Sequence, residues 1–315
     1  MASTDKAQSE GMYSGGDMPA DSLAAAEMIR LALADIHEPG ECAGIARIVL
    51  EDGFGIPYQQ QHFPHPLREE DRRRLAEILS RLLRREPVQY VLGRTVFLGL
   101  PLEVNPAVLI PRQETEELVA WVLEDLSGAI GQGDAGVSHR VLDIGTGSGC
   151  IAIALKARRA DLTVEALDVS GAALAVARRN AAANGVSVRF READILDPAV
   201  RAELGTYDII VSNPPYITLS ERTRMAAEVL EHEPGLALFA GGEDAQLFVR
   251  EIADFARGHL RPGGSLYLEI NEFHATESEA VLRTKGFQDL ALRRDLNGKY
   301  RMLRGSQPPA FFESL

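Results

Sequence analysis

Cysteine is scarce in this chain. Cys42 and Cys150 are the only two in 315 residues, and they form neither a metal-ligand spacing nor a disulfide framework. That excludes a zinc-ribbon fold and a disulfide-stapled secreted scaffold. His62 and His65 flank Phe63-Pro64 in a proline-rich turn with no second ligand pair after them. They read as surface loop, and no metal is expected. No apolar run approaches membrane-spanning length, and no basic-then-apolar leader pattern opens the chain. A reduced, cytoplasmic, monomeric protein without a membrane partner is expected. Basic charge is also lacking: 33 Lys+Arg stand against 46 Asp+Glu, a formal net charge of −13. Proteins that grip a phosphate backbone usually carry a basic face. Arginines cluster only at Arg72-Arg73-Arg74 and Arg81 to Arg85, in a helical stretch shared with Glu69, Glu70 and Glu77. This is a solvated helix face, and no nucleic-acid partner is expected. The GK[ST] ending of a phosphate-cradling loop is absent as well.

What is present is ordinary globular composition, 45% hydrophobic and 25% charged. Residues 1–20, rich in Ser, Gly and Asp, read as a disordered tail. Residues 21–90 read as a small helical domain. Ser22 is placed to cap a helix running to about Ile36, with Pro39-Gly40 as its stop. A second helix follows from about Glu41 to Glu51. A third carries Leu75, Ile78, Leu79, Leu82 and Leu83 as one apolar stripe. Residues 91–112 form a linker with a β-hairpin around Phe97-Leu98-Gly99-Leu100. From 113 to 305 helices and strands alternate, with strands at Arg140 to Ile144, Thr163 to Leu167, Ser187 to Arg191, Tyr207 to Ser212 and Ser265 to Ile270. A loop at Ser127 to Ser138 and a helix from Asp244 to Leu260 lie between them. The alternation predicts a doubly wound, mostly parallel α/β sheet. Asn297-Gly298 between two apolar runs predicts a final antiparallel hairpin with one strand inserted into that sheet. Residues 306–315 read as a tail.

The most informative residues are Asn213-Pro214-Pro215-Tyr216, directly after the apolar run that ends at Ser212. Consecutive prolines cannot continue a ladder. The Pro214 carbonyl and the Asn213 side-chain carbonyl then offer two neutral acceptors beside the Tyr216 ring, a set that can hold a planar NH2 group. Upstream, an apolar strand runs into Gly145-Thr146-Gly147-Ser148-Gly149. The spacing is GxGxG; Cys150 occupies the third glycine position of a dinucleotide fingerprint. Asp168, at the end of the next strand, is placed to accept ribose hydroxyls. Either Asp168 or Ser170 can also cap the helix that follows. Asp194 ends a third strand, where it can accept from an adenine amino group with Ile195 against the ring. Asp143 is placed to pair with a cofactor ammonium. A nucleoside site without an obligatory pyrophosphate cradle, beside a site for an NH2 group, points to S-adenosylmethionine and N-methylation. An exocyclic amine of a nucleic-acid base is an alternative acceptor, which the acidic charge opposes.

The chain resembles the HemK/PrmC family of glutamine N5-methyltransferases acting on peptide-chain release factors. The matching stretches are Glu86 to Gly93, Val108 to Glu116 with its Pro-Arg-x-Glu-Thr-Glu run, Val141 to Gly149, Asn213 to Tyr216, Glu233-Pro234 and Leu268-Glu269-Ile270. Gln113 departs from the family, where proline is common. In the related family that methylates a ribosomal-protein glutamine, the alternative protein acceptor, Pro-Arg is typically followed by Ser. The resemblance implies a Rossmann-like class I methyltransferase domain with a seven-stranded sheet. It implies release factors as the protein substrate, through the Gln of their Gly-Gly-Gln motif. It assigns the amide hydrogens to Asn213 and the Pro214 carbonyl and places Tyr216 against the side chain. Pro215, Arg112 and Glu114 join them at the substrate, and Asn213 also borders the cofactor.

Overall fold

Asp21 opens the first helix (Ser22–Leu33): its carboxylate accepts the Leu23 and Ala24 N–H groups at 2.9 and 3.1 Å. This corrects the expected cap, Ser22, which is buried and exchanges hydrogen bonds with the Phe63 carbonyl and the His65 N–H. The computed structural model describes residues 18–128 and 138–308. The expected N-terminal tail, most of the 127–138 loop and most of the C-terminal tail lie outside those residues.

Pro39 begins the second helix (Pro39–Ile48) instead of ending the first, because its fixed φ and missing N–H suit a first turn. A π-helical turn (Val49–Gly53) follows. The third long helix (Glu69–Leu82) buries Leu75, Ile78, Leu79 and Leu82 in a core with Ile29, Leu33, Val49 and Leu50. Its arginines face acids of their own turn: Arg68 pairs with Glu70 and Asp71, and Arg72 and Arg73 pair with Glu69. A short helix, Val88–Leu92, stands where the linker was expected to begin. These elements form one compact unit, residues up to Arg94 together with Ala226–His232. Arg85 pairs with Glu228 inside it at 2.7 Å.

The second unit comprises the residues from Thr95 to Met225 and from Glu233 onward. The expected hairpin is present as β1 (Arg94–Phe97) and β2 (Leu100–Glu103). Leu98 and Gly99 both take positive φ between them, as a tight two-residue hairpin turn requires. Seven strands then form one sheet: β3 (Arg140–Ile144), β4 (Thr163–Asp168), β5 (Arg189–Glu192), β6 (Tyr207–Ser212), β7 (Leu260–Glu269), β8 (Gln288–Arg294) and β9 (Tyr300–Ser306). Their order is β5-β4-β3-β6-β7-β9-β8, with β9 antiparallel to both its neighbours. Successive residues of each central strand feed opposite faces. Val141, Ile209, Val211 and Tyr267 pack beneath the helices Gln113–Gly128 and Cys150–Arg158. Leu142, Ile144, Ile210, Leu266 and Leu268 meet Leu247–His259 and Ala275–Thr284. This two-sided burial is why the strands read as continuous apolar runs.

Three boundaries differ from expectation. The Asp244 carboxylate accepts the Gln246 N–H, closing a turn, so that helix starts at Leu247. Gly185 and Val186 complete the cap of helix Gly171–Ala183, the Val186 N–H returning to the Ala181 carbonyl, so β5 starts at Arg189 and not Ser187. Pro262-Gly263-Gly264 lies inside β7 as an irregularity in its pairing with β6 and does not precede it. A side chain at Gly264 would lie 2.8 Å from the Asp208 carbonyl, which explains glycine there. Among the described residues no helix is long and apolar enough to cross a membrane.

Candidate active site

Register brings the candidate residues to one rim. Ile144 at the end of β3 pairs with Leu167 of β4 and with Ser212 of β6, and Ser212 pairs with Leu268 of β7. The loops after these strands therefore leave side by side at the carboxyl edge, where open α/β sheets bind ligands. The opposite edge carries a cavity of about 270 Å³ lined by Arg140, Lys156, Glu165 and Tyr207 among others. Its carboxylate is already shared between the Tyr207 hydroxyl at 3.2 Å and Arg140 at 3.7 Å.

The glycine loop is built on backbone bonds. Gly145 and Thr146 both donate to the Leu167 carbonyl, and Gly149 donates to Thr146. Gly145, Gly147 and Gly149 all have positive φ. Gly149 is doubly constrained: φ is 84°, and a side-chain carbon would fall 2.8 Å from Ile153 Cδ1 and 3.1 Å from Ala177 Cβ. Close helix-to-helix approach, not ligand access alone, demands glycine there.

Asp143 is fully buried. Its Oδ2 accepts from the Thr146 hydroxyl at 2.6 Å and the Ala152 N–H at 3.2 Å, so it fastens the loop to the helix that follows. Oδ1 is buried without a partner, and the Ser148 hydroxyl is buried beside the Cys150 thiol. Desolvation raises the Asp143 carboxyl to about 7. Asp168 accepts from the Gly147 N–H at 2.8 Å and the Ser170 N–H at 2.9 Å, which joins the loops after β3 and β4. Burial raises its pKa also. The cap of the following helix is Ser170, whose hydroxyl accepts the Ala173 N–H. Asp194 is exposed and closes a turn onto the Leu196 N–H at 2.8 Å. Ile195 is drawn into the core with Leu167 and Ile144.

The tetrad follows β6 as expected. The Ser212 hydroxyl donates to the Ile144 carbonyl at 2.7 Å and fixes the strand end. The Asn213 Nδ2 donates to the Thr115 hydroxyl oxygen at 3.1 Å, and that hydroxyl donates to Glu269 Oε2 at 2.6 Å. The Tyr216 hydroxyl donates to the other oxygen, Oε1, at 3.2 Å. Neither Asn213 Oδ1 nor the Pro214 carbonyl has a hydrogen-bond partner among the described residues. The loop beyond is held by Ile217, which exchanges backbone bonds with Leu238 and Ala240, and by Glu221, which accepts from Thr218 and Asn271.

Glu269 is 2% exposed, and burial raises its carboxyl to about 7. Desolvation and the adjacent carboxylate push the Tyr216 phenol above its ordinary range, so it stays a donor. Glu114 lies near enough for its charge to raise both groups. Arg112 is committed to Glu233 at 2.5 Å, and the other Glu233 oxygen accepts the Ile110 N–H. Thr115, Glu233 and Glu269 were not singled out as site residues from sequence. The signal for Glu269 was a carboxylate closing the otherwise apolar run Leu266 to Ile270; Glu233 had only its place before Pro234.

A doubly wound sheet of this order, with a glycine loop and two free acceptors on one rim, defines a Rossmann-like class I methyltransferase. Comparison with known proteins agrees. Residues 132–243 match the Methyltransferase small domain family and residues 28–93 the PrmC N-terminal domain family. The release factor glutamine methyltransferase of Bacteroides thetaiotaomicron is 40% identical over 281 residues, spanning 89% of this chain and 98% of that relative. The one from Lactococcus lactis is 37% identical, over 88% of this chain and 97% of its own. Among solved structures, the hMettl16 catalytic domain in complex with MAT2A 3'UTR hairpin 6 aligns with a TM-score of 0.51 at 19% identity, covering 82% of this chain and 88% of that one, a likeness of fold. The chain belongs to the release factor glutamine methyltransferase family.

Proposed function

We propose that this enzyme transfers a methyl group from S-adenosylmethionine to the side-chain amide nitrogen of the glutamine in the Gly-Gly-Gln motif of peptide-chain release factors. The observation that carries the reading is the pair of uncommitted acceptors, Asn213 Oδ1 and the Pro214 carbonyl, at the end of β6. A primary amide presents two N–H donors in one plane, and this pair matches that need.

The residues at the neighbouring strand ends fit the cofactor. Asp143 Oδ1 is a buried polar atom without a partner, as a group awaiting a ligand is. Asp168 would hold the ribose hydroxyls, and Asp143 would face the ammonium, directly or through the loop. Asp194 and Ile195 would border the adenine, Ile195 mainly through its backbone because its side chain belongs to the core. Gly145 to Gly149 let the chain approach closely. Carboxylates dominate this rim, which suits a cationic donor. When bound, the cofactor supplies a methyl group on a sulfonium sulfur.

An amide nitrogen is a weak nucleophile because its lone pair is delocalised into the carbonyl. The enzyme's part is positioning and electrostatics. Asn213 Oδ1 and the Pro214 carbonyl accept the two amide hydrogens, fix the nitrogen and disperse positive charge that develops on it. Tyr216 and Pro215 flank the side chain. One amide proton is lost to solvent after transfer, so no strong base is required. Arg112 acts by holding Glu233 and the turn at Ile110 in place, and Glu114, whose charge reaches Tyr216 and Glu269, would border the amide side.

The test is incubation of the purified protein with labelled S-adenosylmethionine and, separately, release factor, RNA or DNA. The tryptic peptide containing Gly-Gly-Gln is then weighed. One added methyl on that glutamine is the expected result. Label in nucleic acid with none in release factor would refute the reading.

A further inference from the structure

We infer that Thr115 and Glu269 are positioning residues for the transfer: a one-way hydrogen-bond relay that holds the Asn213 amide with its oxygen, and not its NH2, facing the acceptor nitrogen. The inference rests on the function proposed above and assigns a role to two residues outside the Asn-Pro-Pro-Tyr tetrad.

The argument is one of donors and acceptors. The two ends of an asparagine amide are nearly isosteric, so shape cannot choose between them. Only the end bearing oxygen can receive an N–H from the substrate. The choice is made by the partner behind the amide, the Thr115 hydroxyl at 3.1 Å. A hydroxyl both gives and takes, so alone it does not discriminate either. It becomes a pure acceptor toward Asn213 when its one hydrogen is already committed. Glu269 Oε2 commits it, at 2.6 Å. An ionised carboxylate has no hydrogen to give. The direction therefore runs from Asn213 Nδ2 to Thr115 and from Thr115 to Glu269, which leaves Oδ1 for the substrate. The same carboxylate takes the Tyr216 hydroxyl hydrogen on Oε1, fixing the second residue of the tetrad.

Thr115 and Glu269 are 1% and 2% exposed, so water does not scramble the relay. The placement also has no structural explanation of its own. Glu269 is a carboxylate at the end of a strand that is buried through Ser265 to Ile270, and none of its hydrogen bonds comes from a cation. Burying an ionisable group without such a partner is costly. A hydrophobic residue would fill the site as well, unless the charge directs something.

The relay has a predictable dependence on pH. The groups facing Glu269 are Thr115, Tyr216 and Glu114, with Arg301 and Cys150 farther off. Arg301 favours ionisation, whereas burial and Glu114 oppose it, and the carboxyl sits at about 7. Above that pH Glu269 only accepts, and Asn213 is held as described. Below it the carboxylic acid can donate to Thr115. The Thr115 hydrogen then turns toward Asn213 and selects the flipped amide, whose NH2 repels the substrate amide.

The test measures single-turnover methyl transfer to release factor from pH 5.5 to 9. Wild type, Thr115→Val, Thr115→Ser, Glu269→Gln, Asn213→Ala and Thr115→Val/Asn213→Ala are compared, with cofactor Kd measured for each to confirm an intact fold. Thr115→Val is expected to slow transfer by roughly 10- to 100-fold, within the range for losing one oriented polar group. Its cofactor Kd should be unchanged, and Thr115→Ser should restore most of the rate. The wild-type rate should fall as pH drops through the Glu269 range, and that limb should be missing in Glu269→Gln. The double variant should be no slower than Asn213→Ala, since the relay acts only through that amide. A full rate in Thr115→Val, or a double variant slower by the whole Thr115→Val factor, overturns the relay while leaving the function standing. A wild type that methylates no release factor overturns both.

Discussion

Two stretches of the same sheet rim solve one problem in different ways. On the β3–β4 side, two carboxylates are held largely by the main chain: Asp168 by the Gly147 and Ser170 N–H groups, Asp143 by the Ala152 N–H and its own loop's Thr146. On the β6–β7 side, Asn213 and Tyr216 are held by side chains, Thr115 and Glu269, drawn from residues far apart in sequence. Main-chain donors come with the turn, so any sequence that makes the turn makes the site. Side-chain partners must be supplied one by one. The first arrangement suits a widely used ligand, and the second suits a demanding orientation. The rim should therefore respond unevenly to substitution.

The largest break expected is on the side-chain half. Asn213→Ala removes an acceptor from the reacting amide and should lower kcat by about a hundredfold or more with modest change in cofactor affinity. Equal kcat in mutant and wild type would remove Asn213 from the mechanism. Next is Asp168→Ala on the main-chain half. Loss of charged hydrogen bonds should weaken cofactor binding by roughly 10- to 100-fold. Calorimetry showing an unchanged Kd would reject the ribose role. Gly149→Ala sharpens the comparison by attacking the turn itself. A strained φ with contacts at 2.8 and 3.1 Å should cost about 1–3 kcal/mol. That would appear as a lowered melting midpoint, roughly 2–4 °C per kcal/mol for a domain of this size. A midpoint equal to wild type would mean the two helices can part freely.

The smallest effect expected joins both halves. Asp143 and Glu269 have folded pKa values near 7, above those of an unfolded carboxyl. The folded state then binds more protons than the unfolded state between about pH 4 and 7. Their contribution to stability is complete below the unfolded pKa and is lost as pH rises through the folded one. The ligand-free protein should melt a few degrees lower at pH 8 than at pH 5.5 on their account. Glu269→Gln and Asp143→Asn should each flatten that slope, and identical slopes in all three proteins would refute the assignment.

The uneven rim also governs what could be read in advance. The glycine loop, Asp168 and the tetrad stand on consecutive strand ends, so local patterns expose them. The alternation of apolar runs gave the sheet, and Asn297-Gly298 the inserted hairpin. Thr115 and Glu269 lie inside family-like stretches, Val108 to Glu116 and Leu268 to Ile270, but nothing in their spacing joins them to the tetrad. Thr115 sits in an acidic helix start, and only the packing of that helix beside β7 gives its hydroxyl two partners. Arg112 read as a residue for the substrate because its motif is selective, yet its guanidinium meets Glu233, 121 residues away. Helix starts were misplaced where a single side chain redirected the backbone, as with Asp21 and Asp244. Ala226–His232 joins the helical unit although it falls inside the alternating region, a matter of tertiary packing that periodicity does not encode.

The insertion of β9 has a consequence for biosynthesis. Glu269 lies opposite Met302, on a strand whose second neighbour arrives only when residues 300–306 are made. Without residues 300–306, β7 has one paired edge, toward β6, and one open edge. The glycine turn and the Asn-Pro-Pro-Tyr corner follow strands that pair with one another and not with β9. A chain lacking residues 300–306 would leave the β7 edge beside Glu269 unpaired.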